Sequence, residues 1–76
     1  MKKHISEEHQ KILLELGLYF REHRLYNGLT ISDVANDLDL HKNTIARVEH
    51  GCNITLSSLL VLADYYQIPI SQIFKD

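Results

Sequence analysis

Between Asn27 and Thr55 the sequence stops and restarts a helix three times at short intervals. Asn27-Gly28, Asp39-Leu40 and Gly51 each break an apolar periodicity, and Thr30, His41 and Thr55 stand where the next helix begins. Asn and Gly accept the left-handed backbone that closes a helix, while a Thr hydroxyl satisfies the first free amides of a new one. The spacing predicts two short helices. One covers 31 to 38 and buries Val34, Ala35 and Leu38; the other starts at His41 or Lys42, buries Ile45 and Val48, and stops at Gly51. Asp33, at the third position after Thr30, lies where the positive end of a helix favours an acid.

The flanking segments carry the remaining apolar pattern. Ile12, Leu13, Leu16 and Phe20 recur at three- and four-residue spacing, which predicts one long amphipathic helix ending near Asn27-Gly28. On the other side, Thr55 caps a strongly apolar helix from Leu56 to Tyr66, stopped by Gln67-Ile68-Pro69. Ser71 then caps a last short turn holding Ile73 and Phe74. With no alternating strand pattern and no internal repeat, the expected fold is all-α, a five-helix bundle. Residues 1 to 11 read as an N-terminal extension and residues 12 to 76 as the single domain.

A chain of 76 residues with 45% hydrophobic content holds one core. A domain this small buries only about 60% of the surface its unfolded chain exposes, so self-association is expected to add stability. The lone Cys52 excludes an internal disulfide framework and a thiolate zinc site, in keeping with a reducing cytoplasm. No apolar run approaches the roughly 18 residues of a membrane span, and Lys2-Lys3 is followed by no apolar stretch of a secretory leader. A soluble, cytoplasmic protein without a membrane partner is expected.

Charge is distributed unevenly within a net of -2. Residues 1 to 29 carry five Lys/Arg against four Glu, residues 30 to 40 carry three Asp and no base, and residues 41 to 53 carry Lys42 and Arg47 against Glu49. Any positive face is thin and local.

Two short helices joined by a three- to four-residue connection form the unit that sets its second helix in the major groove of DNA. The wider pattern resembles the Cro/repressor-type, Xre-like helix-turn-helix family. Its matching residues are Arg24, Gly28-Leu29-Thr30, Val34-Ala35, Leu38, the run from Thr44 to Gly51, Asn53, Leu56, Leu59-Leu60, Leu62-Ala63 and Ile73-Phe74. No one piece is diagnostic; the ordered set, from about Leu16 to Phe74, is specific. The resemblance implies a repressor-like bundle and a transcriptional regulator that binds double-stranded DNA. It also implies a homodimer reading a roughly palindromic site with recognition helices about 34 Å apart.

Site residues follow from the same resemblance. Lys42, Asn43 and Arg47 fall at positions that point at base edges, and their chemistry suits guanine and adenine. His41, Thr44 and Asn53 fall at phosphate-contacting positions, although Thr44 and Asn53 are equally suited to local capping. Arg24 and Glu49 are implied as a structural ion pair between the first and third helices. Independently of the family, Ala35 is small where the second helix must approach the third. His23 replaces a core leucine of the family and is expected as a hydrogen-bonded, partly buried histidine.

Several features depart from the pattern. Ile31 replaces a phosphate-touching glutamine, and Asp39 replaces the glycine of the turn. Asp33, Asp37 and Asp39 would repel phosphates if they faced a duplex. Leu18, Tyr19, Leu25 and Tyr26, and likewise Val61, Tyr65, Ile68 and Ile70, exceed what one core needs and suggest interfaces. The C-terminal set fits the family's dimer, and the first-helix set would pack against residues 1 to 11. These departures support an alternative, a protein-interaction module that uses the fold without DNA.

The five histidines, His4, His9, His23, His41 and His50, lack the spacing of a metal site, and Cys52 reads as a bystander thiol. No nucleophile with a base, paired acids or phosphate-binding glycine loop is present, so neither enzymatic activity nor a cofactor is expected. The length leaves no sensory domain, so no small-molecule effector is expected. A phage-type repressor, a restriction-modification controller and an antitoxin remain equally compatible.

Overall fold

Ser6 opens the first helix by accepting a hydrogen bond from the His9 amide at 3.1 Å, and Glu7 and Glu8 occupy the electropositive first turn. The structure, a computed structural model, describes residues 6 to 73. Among these residues it is all-α and contains no strand. Helix α1 runs Glu7–Tyr26, α2 Ile31–Leu38, α3 Lys42–Glu49, α4 Leu56–Tyr65 and α5 Ile70–Ile73. The boundary expected between residues 11 and 12 falls inside α1, because the cap at Ser6 starts the helix before the apolar periodicity begins.

The short helices obey their caps. Thr30 and Asp33 form a reciprocal capping box, with Asp33 N donating to Thr30 Oγ1 at 3.0 Å and Thr30 N to Asp33 Oδ2 at 2.8 Å. Asp39 closes α2 in the left-handed region with φ 56°, a conformation that Asp and Asn tolerate better than most residues other than glycine. Thr55 caps α4 by accepting from the Ser58 amide at 3.0 Å. At the C-terminal end Ser71 lies within α5 and does not cap it: Gln72 N donates to Pro69 O, which starts the turn two residues earlier. Phe74, His4 and residues 1 to 5 lie outside the described residues.

The core gathers Phe20 from α1, Val34 and Ala35 from α2, Ile45 and Val48 from α3, and Leu59, Leu62 and Ala63 from α4. Ile68, expected among the surplus apolar residues, is 5% exposed and belongs to the core. Its amide donates to Ala63 O at 2.8 Å and the Gln67 amide to Asp64 O at 3.0 Å, with Gln67 left-handed at φ 58°, a cap that closes α4 and turns Ile68 into the core. Gly17 sets the approach of α1 to α3. A Cβ there would collide with the Val48 carbonyl oxygen and lie 2.9 Å from that of Glu49, so only glycine lets the two helices touch at this depth.

Candidate nucleic-acid interface

Helix α3 is divided lengthwise. Ile45, Val48 and Glu49 point inward and are buried, whereas Lys42, Asn43, Arg47 and His50 are exposed and Thr44 and Ala46 half-buried. The inward face is fastened by charge as well as by packing. Arg24 Nε donates to Glu49 Oε2 at 2.7 Å and Nη2 to Oε1 at 2.9 Å, a two-pronged pair in which the residues are only 8% and 9% exposed. The remaining prong, Nη1, donates to the Leu29 carbonyl at 3.0 Å, tying the α1–α2 connection to the same point. Hydrogen bonding to Glu49 raises the Arg24 pKa further above its ordinary value. Both side chains are spent on this contact.

On the outward face Thr44, Arg47 and Asn53 come together with Ile54, Thr55 and Ser58 around a shallow depression between α3 and the start of α4. Lys42 and Asn43, the first two residues of α3, do not line that depression. His41 is the N-cap of α3, but its imidazole makes no capping hydrogen bond and is exposed. Thr44 makes no side-chain capping bond among the described residues; its backbone amide donates to His41 O at 3.0 Å.

The acids of α2 are partly occupied. Asp33 is engaged in its capping box, and the Thr30 amide holds its carboxyl below the usual carboxylate value. Asp37 accepts a 2.6 Å hydrogen bond from Tyr65 Oη, which pushes the Tyr65 phenol up to about 12. Tyr65 ends α4, about 15 Å along that helix from Thr55, so this carboxylate is drawn toward the end of α4 remote from Asn53. Asp39, in the turn before α3, is exposed.

His23 is half-buried but held by rings: it lies edge-on to Tyr19 at 4.8 Å and 5.8 Å from Tyr66, and its imidazole makes no hydrogen bond among the described residues. Tyr66 also stacks on Phe20, and burial raises its phenol to about 12. Among the described residues no three of His, Cys, Asp and Glu assemble as a metal-binding group, and no helix is long and apolar enough to cross a membrane.

Three contacts have no counterpart in the sequence reading: Gln10 Nε2 donating to Gly51 O at 3.2 Å, the Gly17 seam, and Tyr65 on Asp37. Only Gly17 carried a signal, since a glycine inside a helical pattern points to close packing.

With this geometry, the decisive comparison is that a helix-turn-helix domain family matches residues 15–73. The chain belongs to the helix-turn-helix domain family. The match takes in α1 from Glu15 onward and all of α2 to α5, and within it α2 and α3 are two eight-residue helices joined by the Asp39–His41 turn. Membership places the chain among DNA-binding regulators. Comparison with curated proteins returns no match.

Proposed function

We propose that the chain is a Cro/repressor-type, Xre-like transcriptional regulator, working in the cytoplasm as a homodimer and reading a roughly palindromic site with α3 in the major groove. The observation that carries this reading is the divided face of α3. Ile45, Val48 and the Arg24–Glu49 pair anchor one side, which leaves Lys42, Asn43 and Arg47 as an exposed row of base-reading chemistry. His41, Thr44 and Asn53 are the phosphate contacts of this reading. It assigns the protein no catalysis, cofactor or small-molecule effector. The exposed Leu56, Leu60, Val61 and Ile70 on α4 and α5 are the surface for the second copy. A phage-type repressor, a restriction-modification controller and an antitoxin all fit.

Selection from a random DNA library followed by fluorescence anisotropy at two salt concentrations tests the proposal. An enriched, two-fold sequence bound with a steep salt slope is expected, because neutralised phosphates release counterions. Arg47→Ala should cost about 1 to 3 kcal/mol for that site and relax one base position. A shallow slope with no enriched sequence would instead favour a protein-interaction module, the second reading. The exposed Leu18, Leu25 and Tyr26 of α1 support that alternative.

A further inference from the structure

We infer that Gln10 is a positioning residue for Asn53, and that the first two turns of α1 therefore belong to the support of the DNA-binding surface; this rests on the phosphate-contacting role proposed for Asn53. Residues 7 to 14 precede the matched helix-turn-helix, yet they continue α1 without a break. They are also in contact with the end of α3. Gln10 Nε2 donates to Gly51 O at 3.2 Å, and a Cβ on Gly51 would come within 2.5 Å of Leu14 Cδ2.

Gly51 has φ +81°, the left-handed conformation that glycine accepts and that ends the run of α3. The amide is returned to α3, donating to Val48 O at 3.1 Å, and the next amide, of Cys52, donates to Arg47 O at 2.9 Å. The carbonyl is held from α1 by Gln10. The Gly51–Cys52 peptide is thus fixed from both sides, two residues before Asn53. Asn53 lies in a stretch with no regular structure, and its side chain makes no hydrogen bond among the described residues. Where its amide group sits is set by the backbone that carries it, and Gln10 restrains that backbone from a separate helix.

The test uses the full chain and the site selected above. Gln10→Ala should weaken binding about fivefold, the effect of one lost hydrogen bond, and Gln10→Glu should weaken it more, because a carboxylate faces the Gly51 carbonyl. Base preference should stay unchanged in both variants. Gln10 is exposed, so both are expected to fold, and thermal unfolding checks this. In an Asn53→Ala background the Gln10→Ala loss should vanish, since the residue it positions is gone. In the free protein, Gln10→Ala should shift the amide resonances of residues 52 to 54 and leave those of α2 in place. Additive losses in the double variant, or unmoved resonances at 52 to 54, would overturn the inference. If no DNA is selected and Arg47→Ala is silent, the DNA reading falls. The same resonances then still uphold or overturn the hold of Gln10 on this loop.

Discussion

The α1–α3 seam and the α4–α5 end solve the problem of a small core in opposite ways. At the seam, glycine admits backbone against backbone, an ion pair is buried with both prongs filled, and the side chains involved have no role left on the surface. At the other end, Leu56, Leu60, Val61 and Ile70 stay exposed although α4 is the most apolar helix of the fold. The difference shows where one chain is complete by itself. The seam orients α3 and tolerates no slack, whereas the α4–α5 surface contributes little to the fold of one copy and is open to another.

The largest effect should come from breaking the seam electrostatically. Arg24→Ala leaves the Glu49 carboxylate buried without compensation and should cost about 3 to 5 kcal/mol in urea unfolding, whereas replacing both residues with apolar ones of similar volume should restore most of that loss. If Arg24→Ala proves as stable as the parent, the seam does not hold α3. A steric break is smaller. Gly17→Ala must move α1 away from the Val48 and Glu49 carbonyls and should cost about 1 to 3 kcal/mol, with binding to DNA weakened as α3 is displaced.

Smaller still is the link between α2 and α4. Tyr65→Phe removes the hydroxyl that donates to Asp37 and should cost about 1 kcal/mol. The pH dependence follows from the two phenols. Tyr65, through its bond to Asp37, and Tyr66, through burial, hold their protons in the folded state to about pH 12 against an ordinary 10.0. The folded state thus binds these protons more tightly than the unfolded chain. The stability they supply is complete below pH 10 and is lost as pH climbs toward 12. Alkaline titration followed by tyrosinate absorbance and circular dichroism should show late ionisation coinciding with unfolding, with a smaller alkaline loss in Tyr65→Phe. The smallest effect on the fold belongs to Leu60→Lys on α4, expected within about 0.5 kcal/mol of the parent. Its consequence should appear in sedimentation velocity, as loss of the homodimer proposed for the apolar end.

Local chemistry made α2 and α3 legible almost to the residue. Thr30 with Asp33 starts α2, Asp39 ends it, and Gly51 follows the end of α3, and each of these acts within one helical turn. The inward positions of Val34, Ala35, Ile45 and Val48 follow from helical periodicity in the same way. In α1 two local signals differ in position: the apolar repeat starts at Ile12, whereas the Ser6 cap starts the helix at Glu7. Ile68 reads as surplus because a residue beyond a helix has no periodicity to place it; the cap that ends α4, with Gln67 left-handed and Ile68 N bonded to Ala63 O, directs it into the core.

What the sequence determined by itself is the order of the helices, the bounds of α2 and α3 and the buried faces of those two, because caps and periodicity are decided by neighbours along the chain. The tertiary structure alone decided that Gln10 meets Gly51 across 41 positions, that Gly17 is the point where α1 and α3 touch, and that Asp37 is turned to Tyr65. These contacts join groups that are remote in sequence, and they exist only once hydrophobic burial has set the angles between helices whose own formation they do not influence.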